Sequence, residues 1–205
     1  MGRPSLAAQR RRQILDAAAR SVARYGLAGS TQERIAAVAG MSRSHIRHYV
    51  GNRDELIDAL WDHVITPYFD ATREALAGRT AEERLPALVD HLFGPQLARN
   101  EDDLVIESLI SGSMHDVRLR GRIYDSYARL ERDVARTIRE AIPGCEAAES
   151  LRLAYALICM AFGHSTLAPL PFPASRQTGL KELAMQLLAS RAAGHGTGPG
   201  ASGTG

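Results

Sequence analysis

The chain has little of what most enzymes, secreted proteins and membrane proteins carry. Only two of its 205 residues are cysteines. Cys145 and Cys159 lie in separate helical patterns with no Cys or His at metal-ligand spacing, which argues against a disulfide framework or a metal site and predicts buried, reduced thiols. The longest apolar run, "LAYALICMAF" from Leu153 to Phe162, has ten residues, about half of the roughly 20 that a membrane span needs. The N-terminus is positively charged but has no uninterrupted apolar core or cleavage-type end, so no secretory signal is read and the protein is expected in the cytoplasm. There is no Gly-x-Ser-x-Gly elbow, Gly-rich phosphate loop or metal-ligand spacing, so neither an enzyme nor a cofactor is expected. No stretch alternates with period two for more than a few residues, which makes strands improbable.

What is present is a basic head on an acidic body. The first 53 residues hold ten Arg and no Lys against Asp16 and Glu33, a net of +8, and the total of +2 leaves −6 for the remainder. Such an asymmetry points the head toward a polyanion and leaves the body out of that contact.

Helical signals run along the whole chain. Ile14, Ala18, Val22 and Tyr25 fall on one stripe of a first helix that Gly26 ends. Ser30 with Glu33 reads as a capping box opening a second helix that closes on Gly40. Ser42 caps a third running to about Val50, and Asn52 opens a fourth, which has Asp54 and Glu55 in its first turn and continues past Pro67 to about Ala77. Thr80 with Glu83 forms another capping box. Helices follow over Asp102 to Gly112 and Asp116 to Ala141, then, after the Pro143-Gly144 break, over Glu146 to Leu167 and Leu180 to Ala193. The Gly-rich end, 194–205, is expected to be a disordered tail.

The second and third helices, joined by a short turn containing Gly40, make a helix-turn-helix, whose second helix lies in the DNA major groove. Ile46 and Val50 supply the one stripe that "SRSHIRHYV" needs for docking. Arg43, Ser44, His45, Arg47 and His48 are left to meet phosphates and base edges, and Arg pairs bidentately with guanine.

"RRQILDAAARSVARYG", "STQERIAAVAGMSRSHIRHYV" and "GNRDELIDAL" resemble, in order and spacing, the DNA-binding region of the tetracycline-repressor (TetR) family of bacterial transcription regulators. The resemblance covers about residues 10 to 62. It implies that Thr31 holds a phosphate, that Arg43, Ser44, His45 and Arg47 face the groove, that Tyr49 contacts the DNA backbone, and that Arg53 replaces a frequent Lys at a phosphate contact. Arg47 stands where members commonly have Tyr, which adds a guanine-reading group, and Val50 stands where they commonly have Phe. The leader's "GRP" resembles minor-groove arms, with Arg3 as the inserted side chain.

The expectation is therefore an all-α protein. A flexible basic leader (1–9) precedes a three-helix helix-turn-helix DNA-binding domain (10–52), a larger helical effector-binding and dimerisation domain (53–193) and the tail. The resemblance implies double-stranded operator DNA as partner, a small organic effector, and a homodimer, for which the apolar last two helices are the natural surface. Candidate effector-lining residues are Trp61, His63, Tyr68, His91, Glu107, Ser111, His115, Tyr124, Tyr127, Phe162 and His164. Glu107, Ser111 and His115 share one face if their helix runs unbroken past Gly112. Tyr and Trp side chains suit a quaternary ammonium compound, and parts of the body resemble choline-responsive members. The alternative is a ligand-independent architectural DNA binder, which would not need a hollow body.

Overall fold

The computed structural model describes residues 5–94 and 101–194. Arg3 and the tail beyond residue 194 lie outside the described residues. Those that are described form nine α-helices and one 3-10 turn, with no strand among them.

Helix α1 spans Leu6–Gly29 and begins where the Ser5 hydroxyl accepts from the Ala8 N–H at 3.2 Å. That cap draws residues 6–9, expected to be flexible leader, into the helix. Gly26 does not end α1 but kinks it, with φ 70° and ψ 170°, a conformation that glycine adopts without a Cβ penalty. Tyr25, placed by its spacing on the apolar stripe, is instead 43% exposed. The guanidiniums of Arg24 and Arg34 lie 5.2 and 4.7 Å from its ring centroid, so cation–π contact takes the place of burial.

Helix α2 (Gln32–Ala39) is capped by Thr31, whose hydroxyl accepts from the Arg34 N–H, and not by Ser30. Ser30 is buried, and its hydroxyl bonds the Gly26 carbonyl at 2.8 Å and the Ser21 hydroxyl at 3.0 Å, so the expected Ser30–Glu33 box is not formed. Gly40 ends α2 in the left-handed conformation, and Ser42 caps α3 (Arg43–Val50). At the start of α4 (Arg53–Leu76), Asn52 and Glu55 cap each other reciprocally at 3.0 and 2.8 Å. The helix continues through Pro67.

Helix α5 (Ala81–Leu92) opens on the expected Thr80–Glu83 box. Helix α6 (Glu101–Gly112) passes into the 3-10 turn Ser113–His115, followed by α7 (Val117–Ala141) and α8 (Ala147–Leu167). Helix α9 (Ala174–Gly194) starts six residues before the expected Leu180. Pro173 precedes it and its carbonyl accepts from the Arg176 N–H at 2.9 Å.

The chain divides into two compact units, and the division does not fall at residue 52. The first holds residues 1–70 and 100–127, so α6 and the beginnings of α4 and α7 belong with the head. Three helices, two of them of eight residues, bury too little apolar surface alone. Here Ile14, Val22, Ile35, Ile46 and Leu60 share a core with Val105 and Leu109 of α6 and Leu119 of α7. The second unit, residues 71–99 and 128–205, is built around Leu88, Val134, Ile138, Leu157 and Leu188. Cys145 is buried as expected, whereas Cys159, on the outer side of α8, is exposed. No described helix is long and apolar enough to cross a membrane.

Candidate DNA-binding face and buried aromatic cluster

Helix α3 is sorted by solvent as a groove-reading helix must be. Ile46 is 0% and Val50 4% exposed, while Arg43, Ser44, His45, Arg47 and His48 are all exposed. Tyr49 is half-buried on the core and meets the rings of His48 and His45 edge-on at 4.8 and 6.5 Å. Long side chains of neighbouring helices tie the motif together: Arg11 donates to the Tyr49 carbonyl at 3.2 Å, and Gln13 to the Ala39 carbonyl at 3.2 Å. Ser44 is 2.8 Å from the Ser42 hydroxyl.

Two charged groups on this face already have partners. Arg43 lies 2.7 Å from Glu33 of α2. The Glu33 carboxyl is held below the usual carboxylate range by hydrogen bonds from its own backbone N–H and from the Thr31 hydroxyl, with the Arg43 charge a smaller contribution. Arg53 donates through its two terminal nitrogens to the carbonyls of Ser30 and Leu27, at 2.8 and 3.0 Å. Its guanidinium closes the corner between α1 and α2 next to Thr31, a role its spacing in the sequence did not reveal.

In the first unit, the Trp61 and Tyr127 rings are 6.2 Å apart and those of Phe69 and Tyr127 6.4 Å. Tyr68 donates to Asp103 at 2.8 Å. Burial, then the charge of Asp103, pushes the Tyr127 hydroxyl up to about 12, so it stays protonated. His63 sits 2.8 Å from Asp16. Asp102 is raised by burial and by its acidic neighbours Asp103, Glu101 and Asp16, with His63 opposing. Phe69 and Asp103 were missed by sequence reasoning. Phe69 carried a signal, since it stands eight residues after Trp61 on one helical face.

The stripe of Glu107, Ser111 and His115 does not form, because α6 stops at Gly112 and His115 falls in the 3-10 turn. Glu107 is half-buried, and Ser111, His115 and Tyr124 are exposed. In the second unit, His91 is buried with Nε2 3.1 Å from the Thr72 hydroxyl, and burial lowers its pKa. The His164 ring is 6.3 Å from that of Phe93, and Phe162 is 38% exposed. An open groove of about 460 Å³ between the end of α4 and α5 is lined by Arg79, Glu82, Asp90 and His91 among others. Of the expected lining residues it includes only His91. Among the described residues, no three His, Cys, Asp or Glu side chains are grouped to hold a metal.

The sequence model of the tetR family of bacterial regulatory proteins matches residues 14–60, from α1 into α4. The HTH-type transcriptional regulator BetI of Burkholderia lata is 31% identical over 159 residues, 73% of this chain and 78% of that protein. The chain belongs to the TetR family. It is a DNA-binding transcriptional regulator and not an enzyme. TetR-family regulators bind operator DNA and small-molecule effectors and are dimers. Solved structures repeat the fold. A transcriptional regulator from Rhodococcus sp. RHA1 gives a TM-score of 0.74 at 16% identity, over 88% of this chain and 96% of that one. A transcriptional regulator from Saccharomonospora viridis in complex with choline gives 0.70 at 20% identity, over 88% and 96%.

Proposed function

We propose that the protein is a homodimeric repressor that reads a palindromic operator with α3 and is released from it by a small organic cation. The observation that carries the DNA reading is the sorting of α3, with two apolar residues buried and five polar ones in solvent. Arg47 and His48, with Arg43, Ser44 and His45, face the major groove, and Thr31, Tyr49 and Arg53 lie toward phosphates. The partner copy is held through α8 and α9, where Tyr155 is 63% and Leu183 58% exposed, a large apolar exposure for a monomer. Two-fold symmetry then sets the recognition helices about 34 to 36 Å apart, or somewhat more.

The effector reading rests on the aromatic cluster of Trp61, Phe69 and Tyr127, with Tyr68 and Asp103 beside it. Ring faces and one carboxylate are the chemistry that holds a quaternary ammonium group, and the Saccharomonospora neighbour was crystallised with choline. Selection of bound sequences from random DNA tests the operator, which should be palindromic. Titration of the resulting complex with choline and tetramethylammonium tests the effector. Unchanged operator affinity at saturating cation would replace this reading with ligand-independent DNA binding.

A further inference from the structure

Where α1 turns into α2, three backbone groups are bonded by side chains of α4 and α6. The kink at Gly26 interrupts α1 at that point. The Leu27 N–H donates to the hydroxyl of Ser108, on α6, at 3.0 Å. The Leu27 and Ser30 carbonyls accept from Arg53. The Leu27 side chain reaches Gly112, one turn further along α6. A Cβ at Gly112 would stand 2.4 Å from Leu27 Cδ2, so the end of that side chain would have to turn aside. Thr31, the cap of α2, follows directly.

We infer that Ser108 and Gly112 are positioning residues for operator binding: from α6 they fix the α1–α2 corner that presents Thr31 to the DNA. The corner has no continuous helix through it, and the placement of Thr31 depends on what grips Leu27 from each side. Arg53 grips it from α4, Ser108 and Gly112 from α6. A methyl group at 112 turns the end of the Leu27 side chain out of its seat on α6, and loss of the Ser108 hydroxyl leaves a backbone donor without its partner. Either change shifts Thr31 and the start of α2 against the phosphate register while α3 keeps its own docking through Ile46 and Val50.

The inference rests on the reading of Thr31 as a DNA contact, so the experiment carries Thr31→Ala as a separate arm. Full-length Ser108→Ala, Gly112→Ala, Leu27→Ala and Gly112→Ala/Leu27→Ala are compared with the unaltered protein for affinity to the selected operator and to random DNA, and for melting temperature. Ser108→Ala should cost roughly threefold to tenfold on the operator, the size of one lost hydrogen bond, and weaken random DNA by a similar factor, because Thr31 meets a phosphate and not a base. Gly112→Ala should weaken the operator by less, because the end of the Leu27 side chain can turn aside, and the double variant should return to the level of Leu27→Ala alone, because the overlapping methyl is gone. A loss confined to the operator with random DNA unchanged, or no loss in Ser108→Ala, overturns the inference. If Gly112→Ala does not fold, Ser108→Ala decides alone. An effect of Ser108→Ala without one from Thr31→Ala keeps the corner as a positioning element but removes Thr31 as the group it positions.

Discussion

The indole Nε1 of Trp61 donates to the hydroxyl of Ser126 at 3.0 Å, and that hydroxyl in turn donates to the Arg122 carbonyl at 3.1 Å. Trp61 is 0% and Ser126 1% exposed, so water cannot take either place. Ser126→Ala should leave the indole donor buried and unpaired, at a cost of about 1 to 3 kcal/mol in urea unfolding with an unchanged m value. In a Trp61→Phe background the same substitution should cost much less, since no donor remains. An equal cost in both backgrounds would mean that packing, not the hydrogen bond, holds this contact.

Arg47 and Arg53 should separate base reading from support. Arg47 is exposed mid-helix, and Arg47→Ala should cost about 1 to 3 kcal/mol at the operator while random DNA loses little. Arg53→Ala removes two charge-assisted bonds to carbonyls, so it should lower the melting temperature and weaken all sequences alike, reducing the salt slope by about one. Arg53→Lys should recover binding to random DNA through its charge but not the stability, because an ammonium lacks the planar fork that bridges Leu27 and Ser30. Full recovery of stability by Lys would show that the fork geometry is unimportant.

These two arginines mark how far the sequence could be read. Signals carried within one turn of helix were legible: the Thr80–Glu83 box, the Gly40 turn, the Asn52 opening and the apolar stripe of α3 all appear where spacing put them. What failed depended on contacts between distant segments. Ser30 has the composition of a cap, yet burial beside Ser21 commits its hydroxyl elsewhere and passes the cap to Thr31. The head looked separable at residue 52 because nothing local shows that α6 completes its core. Arg53 was read only as a phosphate contact, because the two carbonyls it also serves come from a segment more than twenty residues earlier in the chain. The aromatic cluster was half legible: Trp61, Tyr68 and Tyr127 were named from residue type alone, whereas Asp103 joins them only through the packing of α6.

His91 gives a pH dependence with a fixed sign. Burial lowers its pKa below the ordinary value of 6.5, so the folded state binds the proton less readily than the unfolded chain. Its contribution to stability is fully present above pH 6.5 and is lost as the pH falls from there through the lowered folded value. Melting temperatures of the unaltered protein and of His91→Gln, which can keep a bond to Thr72 without titrating, should converge at neutral pH and diverge below it, with Gln the more stable. Parallel profiles would remove His91 as the group responsible.

The exposed apolar residues of α8 and α9 predict a dimer that charge can break. Tyr155→Asp combined with Leu183→Asp should convert the protein to monomer by sedimentation without altering its helical content, since both side chains are largely in solvent in the single chain. Operator binding should fall by far more than the loss of a single contact, because each half-site then binds without its tethered neighbour. A double variant that stays dimeric would move the interface elsewhere.

Coupling between cation and operator must be reciprocal. Couplings of about 1 to 3 kcal/mol are typical, so saturating choline should weaken the operator complex by roughly 5- to 150-fold, and saturating operator DNA should weaken choline by the same factor. Asp103→Asn tests the site behind that coupling. It keeps an acceptor for the Tyr68 hydroxyl, so the local hydrogen bond survives, but it removes the charge that favours a cation. Choline affinity should drop while operator affinity without choline stays within about twofold, since the substitution leaves every proposed DNA contact in place. A variant that binds choline as well as the unaltered protein would place the cation away from Asp103, and unequal coupling factors in the two directions would mean that the titrations were not reading one linked equilibrium.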